Sequence, residues 1–171
     1  DRALVVEPEQ TFHLVRGARV RVYVRVPLWV SVGLPSPSGV GLTEIPTHVL
    51  SDTWFGDFTE GELAYALPTS ARRRVTPDVF APHLAICPLA LGNDGVDQLE
   101  VEKLCLRVAH LSVFSMGPEL WSDETRVRYQ GEDEQSRIHI SGDVPREAPD
   151  AVRVRPPRVP LARGFRARTF A

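Results

Sequence analysis

The densest set of chemically capable side chains lies in SDTWFGDFTEGELAYAL, Ser51 to Leu67, where Trp54, Phe55 and Phe58 stand among Asp52, Asp57, Glu60 and Glu62. Three chemistries could use such a set. Two carboxylates about 5–10 Å apart, with Trp54 or Phe55 as a stacking platform, would suit carbohydrate binding or glycoside hydrolysis. Carboxylate oxygens on a loop could hold calcium, although the spacing here is irregular. An outward-facing aromatic would suit contact with another protein. Trp54, Phe55, Asp52 and Asp57 are therefore the candidate binding residues. The stretch also parses without any ligand. Gly56-Asp57 and Glu60-Gly61 are turn chemistry, and Glu62 to Leu67 is a strand. Trp54 and Phe55 then read most simply as plugs, at least one of them closing the end of the core; adjacent strand residues face opposite ways, and whichever of the two points outward is the best candidate contact surface.

Elsewhere the catalytic patterns fail. There is no G-x-S-x-G elbow, and Ser51, His48 and Asp52 lie too close in sequence to suggest a triad without geometry. No catalytic residue is assigned. His13, His48, His83, His110 and His139 are scattered, with no H-x-H or helical ligand spacing, so no metal is expected. GNDGVDQLE offers Asn93, Asp94, Asp97 and Glu100. Aligning Gly95 to the central glycine of a calcium loop puts Ala90, Gly92 and Val101 where ligands should be, so the pattern fails. A tight hairpin turn with positive φ is expected there instead. No glycine-rich turn leads into a helix and no G-K-[ST] occurs, which sets nucleotide cofactors aside.

The basic residues suggest a second surface. In ARVRVYVRV, Arg19, Arg21, Tyr23 and Arg25 alternate with Val20, Val22, Val24 and Val26. A cationic, aromatic-bearing strand face could track a phosphate backbone. The simpler reading is a solvated outer face with cross-strand acids such as Glu7 or Glu9. Arg72 to Arg74 read as a solvated connection. From Ala151 onward there are six arginines and no acid, so segment 151–171 carries +6 and the rest −8, giving the net −2 of the chain. A basic, proline-punctuated tail thus follows an acidic body. The alternative is an arm that, with the arginine-rich strand, binds nucleic acid or anionic lipid, but the tail is expected to lie across its own body or a neighbour's, because the acidic body repels phosphates. Membrane association is expected to be indirect only.

These side chains must be positioned by strands. Fifteen prolines and 12 glycines in 171 residues disfavour long helices. The period-two run over residues 18–26 is a half-buried strand. Leu28 to Val32 continues or partners it. His83 to Leu91 is a buried strand, with Pro88 suggesting an edge or a bulge. Leu99 to Val108 follows, and Thr125 to Gln130 and Ser136 to Ser141 form a hairpin across GEDE. Roughly nine or ten short strands at regular intervals give an all-β class, an antiparallel β-sandwich of jelly-roll or immunoglobulin-like type, with little helix. A single domain over 1–171 is expected. Cys87 and Cys105 would approach each other if their runs paired around GNDG, where a bridge or two buried free thiols would fit. The N-terminus lacks the order of a signal peptide and an initiator Met, so a trimmed or longer chain is expected.

FHLVRGARVRVYVRVPLWVSV, LTEIPTHVLSDTWFGDFTEGELAYAL and CPLALGNDGVDQLEVEKLCLRV together resemble a prokaryotic family termed domain of unknown function 432. Leu50 to Leu67 is the most distinctive piece. The resemblance implies a bacterial or archaeal protein, and it carries no catalytic residue across. It also hints at an envelope or membrane-protein partner through gene neighbourhood. The expectation is a cytoplasmic, non-enzymatic module that binds another protein or its own copy, with no cofactor and the small-molecule ligand, if any, unassigned.

Overall fold

The computed structural model describes residues 2–34, 41–132 and 134–170. Its strands in chain order are β1 (Leu4–Val6), β2 (Phe12–Leu14), β3 (Arg19–Pro27), β4 (Trp29–Gly33), β5 (Gly41–Pro46), β6 (Ser51–Phe55), β7 (Glu62–Ala66) and β8 (Leu84–Asn93). They continue with β9 (Leu99–Val101), β10 (Leu104–Leu106), β11 (Val113–Met116), β12 (Glu119–Ser122), β13 (Thr125–Tyr129), β14 (Ser136–Ile140), β15 (Val152–Arg155) and β16 (Arg166–Ala167). Among the described residues helix is limited to two single 3-10 turns, Pro77–Val79 and Val108–His110. The class is all-β, as the composition required.

Pairing is mixed rather than purely antiparallel. One sheet runs β10-β1-β7-β6, with β1 parallel to β7. A larger sheet runs β15-β11-β12-β8-β13-β14-β16, with β3 also on β8, and β8 lies parallel to both β12 and β13. Two ribbons, β2-β9 and β4-β5, complete the described pairing. The strands are more numerous and shorter than the periodicity suggested. The run over residues 99–108, for instance, splits into β9 on β2 and β10 on β1.

The longest ladder joins β3 to β8 over Arg19↔Gly92 through Pro27↔Leu84. Period two decides its faces. Val22, Val24 and Val26 are buried with Cys87, Leu89 and Leu91, in a cluster that also takes Leu4, Val6, Leu104 and Val127. Each such side chain contributes about 1.5–3 kcal/mol by leaving water. A second cluster, with Ile86, Phe114, Trp121 and Val79, forms around the start of β8.

Pro88 was expected at an edge or a bulge, yet it sits inside the central strand. The register explains this. Tyr23 exchanges backbone hydrogen bonds with Arg72, N to O at 2.7 Å and back at 2.9 Å, so its amide points away from β8. Its opposite residue, Pro88, therefore faces its nitrogen away from β3, toward the other edge of β8. On that edge β12 pairs at Ile86 and β13 begins at Leu89. Pro88 falls at the changeover, where no partner needs its missing N–H.

The GNDG hairpin does not form. No positive φ occurs at Asn93, Asp94 or Gly95. Asn93 instead ends β8 fully buried. Its Nδ2 donates to Leu14 O at 2.8 Å and Asp97 O at 2.7 Å, and its Oδ1 accepts from Gly95 N at 2.9 Å. A side chain that supplies its own turn bonds removes the need for a left-handed residue. Because β8 and β10 lie in different sheets, Cys87 and Cys105 are separate free thiols, each buried. Burial pushes both thiols up to about 12.

Candidate functional site

The β6–β7 hairpin carries the residues first singled out. Its register places Trp54 opposite Leu63 and Phe55 opposite Glu62. The two aromatics divide as period two requires. Phe55 is 2% exposed and packs with Ala3, Val5, Ala64 and Cys105. Trp54 is 51% exposed, beside Leu63 at 44%, and Phe58 in the turn is 95% exposed. So Phe55 closes the core and Trp54 is free.

Trp54 is nonetheless held in place. Its Nε1 donates to Asp57 O at 2.9 Å, and the indole lies over Gly61, where any Cβ would collide with the ring. Gly61 N also donates to Asp57 O at 2.8 Å, and Gly56 takes φ +100. The hairpin turn therefore needs both glycines, one for its backbone and one for the ring that covers it. A fixed indole loses little rotamer entropy when a partner covers it.

The neighbouring acids are anchors. Asp52 pairs with Arg2 and Asp57 with Arg168. Glu62 receives both terminal nitrogens of Arg107, Nη1 at 2.6 Å, and Arg107 Nη2 also donates to Arg168 O at 3.1 Å. Burial works against the Arg107 charge, yet Glu62 outweighs it and the guanidinium is raised above its usual range. The Asp57 and Glu62 bonds tie the hairpin to the C-terminal tail. The tail lies across its own chain: β15 pairs with β11, β16 with β14, and Arg158 with Glu44. Asp57, Glu60 and Glu62 line a cleft of about 1080 Å³ with Arg107 and the tail residues 165–170, and Trp54 stands outside that lining.

The basic strand face is closed over at its centre. Arg21 Nη1 reaches Glu124, its Nη2 donates to Glu147 at 3.1 Å, and Tyr23 OH donates to Glu147 at 2.8 Å. Arg21 Nε lies 2.8 Å from Glu147 Oε1 as an ion pair without a directed hydrogen bond. Side-chain exposures of 16%, 12% and 16% for Arg21, Glu124 and Glu147 show how deep this cluster sits. Burial opposes every charge in it, but the pairing wins: Arg21 is raised, and Glu124 and Glu147 are lowered. Burial, then Glu147, raises Tyr23. Arg19 pairs with Asp94 at 2.5 Å. Arg25 leaves its Nε buried with no hydrogen bond. The expected partners Glu7 and Glu9 play no part: Glu9 serves Arg72 at 3.1 Å. The true partners lie about a hundred residues away in sequence, beyond the reach of local pattern.

Asp123 is a buried acid that the sequence did not single out. It is 1% exposed and accepts from Ser112 N at 3.0 Å, and burial raises its pKa. It staples the start of β11 to the end of β12. Among the described residues no group of three or more His, Cys, Asp or Glu is placed to hold a metal ion. No helix among them is long and apolar enough to cross a membrane.

The frame is thus an all-β protein whose exposed aromatic stands on an anchored edge hairpin. A family model described as protein of unknown function (DUF432) matches residues 1–171, and the chain belongs to that family. No curated protein and no solved structure matches it.

Proposed function

We propose that the protein is a non-enzymatic binding module that docks another protein or a second copy of its own chain on the outer face of the β6–β7 hairpin. The observation that carries this is Trp54, half exposed yet fixed by its bond to Asp57 O, with Leu63 and Phe58 exposed beside it. Rigid exposed aromatics are typical anchors of protein interfaces. β6 is also the terminal strand of its sheet, so its outer backbone edge suits addition of a partner strand. Asp52, Asp57 and Glu62 are engaged in holding the hairpin, which suits positioning better than acid/base chemistry. The carbohydrate reading draws less support, because Trp54 is not among the residues that line the acidic cleft.

The test is size-exclusion chromatography with light scattering, on the protein alone and mixed with the products of neighbouring genes. Wild type is expected to form a stable complex, with itself or with one of those products, and Trp54→Asp is expected to lose it without loss of thermal stability. A wild-type monomer that binds none of them, or a complex that survives Trp54→Asp, refutes the proposal.

A further inference from the structure

Across the larger sheet, register aligns Arg19 with Gly92, Gly92 with Arg128, Arg128 with Arg137 and Arg137 with Arg166. Residues in register share a face, so four arginines form one row on the side opposite the valine core. The next row holds Arg21, Ala90, Arg126 and His139. The two rows are neutralised very differently. In the second, Glu124 takes both Arg21 and Arg126, and Glu147 takes Arg21 as well. In the first, Asp94 serves Arg19, and no acid among the described residues pairs with Arg128, Arg137 or Arg166.

Gly92 shows how crowded the row is. A Cβ there would fall on Arg128 Nη1 and within 2.7 Å of Arg19 Cδ. Two like-charged side chains therefore cross over the one residue of the row that has no side chain. Like charges directly opposite on paired strands are destabilising. A sheet that holds three guanidiniums side by side, with no described acid paired to them, is preorganised for an anion, because each planar fork matches the oxygens of a phosphate.

The strip is also short. Arg128 to Arg166 spans two strand spacings, about 10 Å. Asp94 closes one end, Glu124 lies in the flanking row, and the β13–β14 turn on the other flank carries Glu132 and Glu134. A long polyanion would run off the strip onto these acids. Tyr23, on this face, is engaged by Glu147 and gives no platform for a base. We propose that Arg128, Arg137 and Arg166, with Arg19 at the end of the row, bind a small soluble ligand carrying two or more phosphate groups. This site is separate from the Trp54 surface and does not depend on it.

The experiment is calorimetric titration with inorganic tripolyphosphate at low salt in a phosphate-free buffer. Wild type is expected to show saturable binding, weakened about tenfold by Arg137→Gln and again by Arg128→Gln. Arg155→Gln, an exposed arginine outside the row, is expected to leave it unchanged. Free of ligand, Arg137→Gln should melt about 1–3 °C higher, because repulsion is relieved. No saturable binding, or equal weakening by Arg155→Gln, overturns the proposal. So does tighter binding, per phosphate, to a single-stranded oligonucleotide or to phosphoinositide vesicles than to tripolyphosphate.

Discussion

Glu147→Gln tests whether the cluster under the basic strand is held by charge. In the wild type Glu147 faces Arg21 through Nε at 2.8 Å and Nη2 at 3.1 Å, and accepts from Tyr23 OH at 2.8 Å. Glutamine keeps the shape and one acceptor but loses the charge and one of the two carboxylate oxygens. A hydrogen bond to a charged group contributes about 1.5–3 kcal/mol, against about 1 for a neutral one. Two Arg21 contacts are affected, and the residual exposure of 16% lets water screen part of the loss. The expected cost is about 2 kcal/mol at pH 7, or about 4–8 °C in a chain of this size.

The pH dependence separates charge from shape. The folded pKa of Glu147 is lowered, because Arg21 and Tyr23 outweigh the opposing burial. The stabilisation is therefore complete above the unfolded value of about 4.3 and disappears as pH falls through the lower folded value. Urea unfolding of wild type and Glu147→Gln should differ most at pH 7 and converge below about pH 4. Asp123 works in the opposite sense, since burial raises its pKa, but it is common to both proteins and cancels in the difference. A gap as large at pH 3 as at pH 7 would show that packing, not charge, is what Glu147 supplies.

Three other outcomes follow from the geometry. Phe55→Ala should cost about 3–5 kcal/mol, because it empties a site closed by Ala3, Val5, Ala64 and Cys105, whereas Trp54→Ala should cost under about 1 kcal/mol; chemical denaturation of the pair reads the difference. Asn93→Ala should cost about 2–3 kcal/mol, since it strands two carbonyls and one amide at a buried position, and amide exchange at Gly95 should accelerate in the variant. Cys87 and Cys105 should resist alkylation at pH 8 in the folded protein and react together on unfolding; prompt reaction of either would contradict their burial and the raised pKa values.

What the sequence could show depended on the reach of each signal. Period two over residues 18–26 is local, and it placed the valines inward and the arginines outward correctly. The same rule accounts for the division the structure makes between Trp54 and Phe55, both of which read most simply as core plugs in the sequence. Pro88 and GNDG misled for a shared reason. Their local propensities were read against the commonest context, an edge strand and a tight hairpin. Tertiary structure supplied others: a changeover between two partner strands, and an asparagine that completes its own turn. The arginine row was out of reach altogether. Arg19, Arg128, Arg137 and Arg166 lie in four separate segments, and only the register of five strands brings them into line. The glycine between them looked like turn chemistry in the sequence. Its place under two crossing arginine side chains gives it a different cause: a side chain at Gly92 would have to push Arg19 and Arg128 aside.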